Sequence, residues 1–192
     1  MRSFALDVLN RKLSPAVQTR CSATPADTFV QSSYLGMEEG NAIVDVLLGE
    51  VNPSGRLCQT WPKRYADTAV AQCGTYNGTN VVYNEGFYVG YRWHDKKAIE
   101  PLFPFGAGKS YTTFAYGPMA VTNNRVSVTV TNTGKVAGKE VVQFYAAYPN
   151  ARVERCVKEL KGFEKLSLKP GETKTAKFSV SPRDLAYWDE FA

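Results

Sequence analysis

The sequence predicts a mainly β protein: an antiparallel sandwich, preceded by a partial α/β segment and an extended strap rich in aromatic residues. Three observations carry this. From Val126 onward, short runs of alternating apolar and polar residues recur between turn signals, the pattern of a sandwich of half-buried strands. Before them, residues 82–117 concentrate tyrosines, phenylalanines and Trp93 beside glycines, with Pro101 and Pro104 excluding a helix interior. Earlier still, Ala42, Ile43, Val46 and Leu47 fall at i, i+1, i+4, i+5, one face of a helix.

Residues 1–33 give no clear element. Val8, Leu9 and Leu13 would share a helical face, but Pro15 and Pro25 limit its length, and the segment is expected to be poorly ordered. Residues 34–49 read as the helix. Glu38 and Glu39 lie early in it, where negative charge meets the positive end of the dipole, and Gly49 falls at the left-handed C-cap. Asn52-Pro53-Ser54-Gly55 is a turn, and 56–61 read as a strand closed by Pro62. Residues 63–80 are polar and loop-like, and contain the sequon Asn77-Gly78-Thr79.

The strap, 82–110, holds Tyr83, Phe87, Tyr88, Tyr91, Trp93, Phe103 and Phe105 between Gly86, Gly90, Gly106 and Gly108. Rings beside glycine suggest packing over closely approaching backbone. The strap would cross between two domains and pin them, passing into the sandwich near residues 111–116. Strands follow at 126–130, 140–148, 160–168 and 173–180. Asn132-Thr133-Gly134 and Lys169-Pro170-Gly171-Glu172 make the turns, the second suiting type II. Ala176, Phe178 and Val180 would line one side, and Phe163, Leu166 and Leu168 mark a weaker alternation.

The chain of 192 residues has 44% hydrophobic, 21% charged and 12% aromatic residues. These are ordinary globular values, with a tilt toward aromatics that suits β cores or sugar-stacking surfaces. The net charge of +5 is mild, and the lysines and arginines of residues 152–177 fall on outward positions and turns, so no nucleic-acid partner is expected. No apolar run reaches the ~20 residues of a membrane helix, and no signal-peptide core is present, so no membrane partner is expected and the compartment stays open. Cys21, Cys58, Cys73 and Cys156 are too dispersed for a zinc site; a Cys58–Cys73 bridge or four thiols are the alternatives. No metal and no cofactor is expected, since the glycines lack phosphate-loop spacing.

The motifs carry a family resemblance. Tyr-Asn-Glu-Gly-Phe-Tyr-Val-Gly-Tyr-Arg-Trp-His-Asp (83–95), with Leu-Phe-Pro-Phe-Gly-Ala-Gly-Lys-Ser-Tyr-Thr-Thr-Phe (102–114), resembles the C-terminal region of glycoside hydrolase family 3, the β-glucosidases and β-xylosidases. Residues 36–57 are similar to the end of that family's α/β sandwich domain. Residues 130–145 and 159–173 are similar to its fibronectin type III-like domain. The resemblance covers about residues 33–189 and implies four stretches: 1–33 unassigned; 34–81, a remnant of the α/β domain; 82–110, the strap; and 111–192, a fibronectin type III/immunoglobulin-like sandwich incomplete at its C-terminus. Cys58 stands where the family usually has proline, and Ala107 and Lys109 occupy variable positions of its glycine-rich motif.

Retaining glycoside hydrolysis needs two carboxyl groups about 5–5.5 Å apart. The candidates are Glu38, Glu39, Asp45, Glu85, Asp95, Glu100 and Asp189, and no spacing commits two of them to one site. The resemblance implies the reason: the family's catalytic Asp and acid/base Glu lie in earlier domains. No catalytic residue is therefore assigned. A β-linked glucoside or xyloside would be the substrate of the parent enzyme, and oligomeric state is left open. The chemically richest cluster is Glu85, Arg92, Trp93, His94 and Asp95, of which the first four are the candidate substrate-binding residues. If 88–94 is extended, Arg92 and His94 share one face and Tyr91 and Trp93 the other. Trp93 would then stack on a sugar, or, as the favoured reading, plug a domain junction beside a structural Arg92–Glu85 pair. The leading expectation is a non-catalytic C-terminal portion of a β-glucosidase-like hydrolase that serves domain packing. The alternative is a glycan-binding or adhesion module on the same sandwich.

Overall fold

A computed structural model describes residues 7–9, 29–32, 36–74 and 78–188. The expectation of poor order for 1–33 falls mostly outside them, and so does Asn77 of the sequon. The chain divides into two compact units, Met1–Ser110 with Ala147–Lys158, and Tyr111–Ala146 with Glu159–Ala192.

In the first unit, β1 (Asp7–Leu9) pairs antiparallel with β2 (Phe29–Gln31), Val8 opposite Val30. Helix α1 (Glu39–Leu47) follows. Its buried face is narrower than the apolar pattern suggests. Ala42 and Val46, one turn apart, are buried, and Val46 packs with Ile43 and Val30. Leu47 lies a further step round the helix and is 61% exposed, so it does not join the face. Gly49, at φ 82°, takes the left-handed conformation that ends the helix, and its N–H donates to the Val46 carbonyl at 3.0 Å.

Residues 56–61 are not a regular strand. The segment pairs with the strap at its ends: Leu57 N–H donates to Ala107 O and Trp61 N–H to Phe103 O, at 2.9 and 2.8 Å. Within 56–61 it is Trp61, opposite Phe103, that forms a β-bridge. Pro104, beside it, has no N–H to continue a ladder. Phe29, Trp61 and Phe103 meet edge to face, with centroids 5.8 and 6.0 Å apart, over Leu57.

The expected loop at 63–80 holds a 3-10 turn (Tyr65–Asp67) and helix α2 (Ala69–Cys73). Thr68 caps α2, its hydroxyl accepting from Ala71 N–H at 3.2 Å, and left-handed Gly74 ends it. The strap is likewise not extended throughout. After Gly90, residues Tyr91–Lys97 form helix α3. No proline interrupts them, and His94, Lys96 and Lys97 sit in the last turn, where positive charge favours the carbonyl end of the dipole.

The second unit is an antiparallel sandwich. One sheet has the order β3 (Phe114–Thr122), β4 (Arg125–Asn132), β7 (Thr173–Ser179); the other pairs β5 (Gly138–Ala146) with β6 (Glu159–Leu168). Val130 and Ala176 from the first sheet and Val142, Leu166 and Leu168 from the second form one core, with Phe114, Val128 and Phe178 against it. Phe144 and Phe178 stack across it at 5.6 Å. Phe163 has the opposite parity to Leu166 and Leu168, so it faces outward and is 70% exposed. At the β6–β7 turn Gly171 adopts φ 74° and Glu172 N–H donates to Lys169 O at 3.0 Å, as a type II turn requires. A short helix, α4 (Pro182–Leu185), starts at a Ser181–Asp184 capping box.

Candidate functional site

The strap's polar and aromatic residues gather in the first unit around Trp93. Two glycines make the approach. Gly86 (φ 59°) and Gly90 (φ 56°) hold backbone conformations that side chains resist, and they turn the chain into α3. Because 91–97 is helical, Trp93 and His94 lie one step apart on the inner side and are both buried, while Tyr91 and Arg92 are half-buried. The extended-strand grouping of Arg92 with His94 against Tyr91 with Trp93 does not occur.

Trp93 is 5% exposed and packs with Ala69, Tyr88 and Cys156. Its indole N–H donates to the Asp67 carbonyl at 3.2 Å, which ties α3 to the turn before α2. His94 Nδ1 lies 3.0 Å from the Ile99 carbonyl, and Ile99 N–H donates back to His94 O at 3.0 Å. Glu85 is buried in the turn before Tyr88, whose N–H donates to the Glu85 carbonyl at 3.1 Å.

Two ionic clamps extend this cluster to residues far away in sequence. The Tyr88 hydroxyl and Lys96 ammonium both donate to Glu154 Oε1, at 2.9 and 2.7 Å. Lys96 also sits 3.6 Å from the Tyr88 ring centroid, a cation–π contact. Hydrogen bonds from Lys96 and then from Tyr88 hold the Glu154 carboxyl below the usual Glu range. Burial, helped by the Glu154 bond, pushes the Tyr88 phenol up. Lys158 donates to Asp95 at 2.9 Å. Within the cluster's other edge, Arg64 donates from Nη2 and Nε to the Asp67 carboxylate, at 2.8 and 3.3 Å, and this holds Asp67 below the usual Asp range.

Arg64, Asp67, Glu154 and Lys158 were not legible as site residues. They fall in stretches read as loop or as outward-facing charge, and nothing marks Glu154 as a partner of Tyr88 so far upstream.

The carboxylates are engaged one by one. Glu38 accepts from Asn41, Glu39 from Ser32, Asp95 from Lys158 and Glu100 from Lys63. Asp189 lies outside the described residues. No group of three His, Cys, Asp or Glu side chains that could hold a metal occurs among the described residues. No helix among them is long and apolar enough to cross a membrane. Cys58 and Cys73 carry free thiols, so the Cys58–Cys73 bridge is not formed: Cys58 is exposed, while Cys73 packs against the Trp93 cluster.

Comparison with known proteins agrees with the motifs. The sequence profile described as the glycosyl hydrolase family 3 C-terminal domain matches residues 8–91, reaching well upstream of residue 33, where the motif resemblance began. The fibronectin type III-like domain profile matches residues 140–192. A β-glucosidase of Rhizobium radiobacter is 50% identical over 171 residues, 83% of this chain and 21% of that protein. Thermostable β-glucosidase B of Acetivibrio thermocellus is 46% identical over 169 residues, 83% of this chain and 22% of that one. Among solved structures, β-glucosidase 3B from Thermotoga neapolitana in complex with glucose aligns with a TM-score of 0.80 at 38% identity, covering 85% of this chain and 24% of that chain. The β-glucosidase from Kluyveromyces marxianus in complex with glucose aligns at 0.76 and 44% identity, covering 83% and 20%. The chain thus spans about a fifth of the length of the curated relatives it matches. It belongs to glycoside hydrolase family 3, and corresponds to the C-terminal portion of that family's β-glucosidases, the end of the α/β sandwich domain with the fibronectin type III-like domain.

Proposed function

We propose that this chain serves a β-glucosidase-type hydrolase as a non-catalytic packing element. The hydrolysed β-glucoside or β-xyloside would be bound and cleaved by residues outside it. The observation that carries this is the Trp93 cluster. Trp93, the strap's candidate for stacking on a sugar, is 5% exposed and bonded to a backbone carbonyl, so it offers no open face for stacking. Burial of Glu85 and His94 supports the same structural role for these two candidates, and Arg92 is half-buried on the same helix. In this reading the element comprises an α/β remnant at 34–81, the strap at 82–110 and the sandwich at 111–192.

An aryl β-glucoside assay on the 192-residue chain should give no turnover. The chain should restore activity when mixed with the preceding domains of a related β-glucosidase that lacks its own C-terminal region. Hydrolysis by the chain alone would sink the non-catalytic reading. Failure to complement, together with glucose- or cellobiose-dependent stabilisation of the isolated chain, would favour the glycan-binding module. Genomic sequence upstream of Met1 gives a second test: an in-frame barrel-coding region supports the hydrolase reading, and a promoter directly upstream opposes it.

A further inference from the structure

Two cysteines that sequence separates widely, Cys73 and Cys156, face one buried cluster. Cys73 ends α2 one turn after Ala69, so both project on the same side of that helix. Ala69, Tyr88, Trp93 and Cys156 form the cluster, and Cys73 packs against it. Cys156 is 4% exposed. Its position is fixed from both sides: Glu154 is held by Tyr88 and Lys96, and Lys158 by Asp95. The α2 side is fixed by the bond from Trp93 to the Asp67 carbonyl. Thus α2 and the segment Ala147–Lys158 both anchor on the strap, the segment placing Cys156 in the buried cluster and α2 placing Cys73 against it.

From this juxtaposition we infer that Cys73 and Cys156 form a redox-sensitive clasp, a disulfide that locks the segment 147–158 onto α2. Cys73 is the half-buried member and the entry point for an oxidant. Its thiolate attacks a small-molecule disulfide such as oxidised glutathione, forming a mixed disulfide and releasing one thiol. The Cys156 thiolate then attacks the Cys73 sulfur, closes the protein disulfide and releases the second thiol. The two protons leave with the two glutathione molecules, and the protein loses two hydrogens. A closed bond requires Cα atoms about 4.4–6.8 Å apart, so its formation in the folded chain measures how closely the cluster holds the two segments.

The test uses the full chain with Cys21→Ser and Cys58→Ser, so that only the two cluster thiols remain. After incubation with oxidised glutathione under native conditions, peptide mass mapping without reductant should find the Cys73 and Cys156 peptides joined, minus two hydrogens. Neither should then take up iodoacetamide, and dithiothreitol should restore both. Tryptic cleavage after exposed Arg152 should slow severalfold on oxidation and recover on reduction. Glutathione adducts on Cys73 with an unreacted Cys156, or two thiols that stay alkylatable, would overturn the clasp. Should the double variant fold poorly, the natural chain is oxidised and mapped in the same way. There, pairing of Cys58 or Cys21 in place of the cluster pair would overturn the clasp equally.

Discussion

The indole N–H of Trp93 and the main-chain carbonyl of Asp67 meet at 3.2 Å inside a buried cluster, and this bond joins the strap's helix to the turn that starts α2. Two contributions are combined here, ring burial and a satisfied carbonyl, and two variants separate them. Trp93→Ala removes both and should cost about 3–5 kcal/mol, the range for emptying a large aromatic site. Trp93→Phe keeps most of the apolar volume but leaves the Asp67 carbonyl without its partner, and should cost about 1–3 kcal/mol. Thermal melts with and without glucose read both. An alanine variant that melts like the parent and loses only sugar-dependent stabilisation would make Trp93 a binding platform.

Asp67 gives a pH signature. Its carboxyl is held below the usual Asp range by the hydrogen bond from Arg64. A carboxyl whose folded pKa is depressed contributes stability that is fully present above its unfolded pKa of about 3.9 and is lost as pH falls through the lower folded value. Asp67→Asn should therefore lie below the parent in melting temperature at neutral pH, and the two should converge on acidification below about pH 4. A gap that stays constant from neutral pH into that acid range would show that the ion pair contributes nothing. Glu154, Glu172 and Asp184 shift in the same direction, so the parent's own acid sensitivity is shared and the difference between variants is the informative quantity.

Glu154 is exposed, and ion pairs at exposed positions contribute little to global stability. Its role is local: it receives Tyr88 and Lys96 together. Glu154→Gln should leave the melting temperature nearly unchanged while amide exchange across 147–158 speeds up. Unchanged exchange there would show that the segment is held by its apolar contacts alone.

The sandwich was legible because its signals are local. Val126, Val128 and Val130 alternate with polar residues, and Pro170-Gly171 fixes one turn, so β4 and β7 follow from period and turn chemistry. Helix α1 was legible from its apolar spacing, but its buried width was not, since Val46 packs with Ile43 and Val30 while the equally apolar Leu47 stays exposed. Helix α3 was missed because aromatic and glycine content favours an extended reading, whereas Gly90 and Ala98 frame a short helix through left-handed backbone. The partners of the Trp93 cluster were illegible for a different reason. Tyr88 with Glu154, and Asp95 with Lys158, are pairings made only once the loop after β5 folds back, and no spacing rule reaches across a domain. The family motifs supplied what periodicity lacked, the placement of the whole segment among longer hydrolases.

Asn132 offers the sharpest test of the sandwich itself. It is fully buried at the end of β4, and its amide closes the following turn with every group engaged. The carbonyl oxygen accepts from the Thr112 hydroxyl at 2.6 Å and from Gly134 N–H at 3.0 Å. The NH₂ group donates to Val136 O at 2.8 Å and Leu168 O at 3.1 Å. One side chain thus links the entry to β3, the β4–β5 turn and the end of β6, which lies in the other sheet. Gly134 must stay a glycine beside it, since a Cβ there would lie 2.2 Å from Thr112 Oγ1 and 3.0 Å from Thr113 N. Asn132→Ala leaves several buried polar groups unpaired, each costing about 1–3 kcal/mol. The loss is comparable with the few kcal/mol that a small domain holds in reserve, so the variant should melt far below the parent or fail to fold. Thr112→Val removes one donor and fills its volume, and should cost about 1–2 kcal/mol by the same reckoning. Asn132→Asp keeps the acceptors but presents a charge to two carbonyls, and should be nearly as damaging as alanine at neutral pH, with partial recovery in acid as the carboxyl protonates and regains a donor. Chemical denaturation of the three variants, at neutral pH and near pH 4, decides the matter. Equal, small losses in all three would show that the sandwich is held by its apolar core alone.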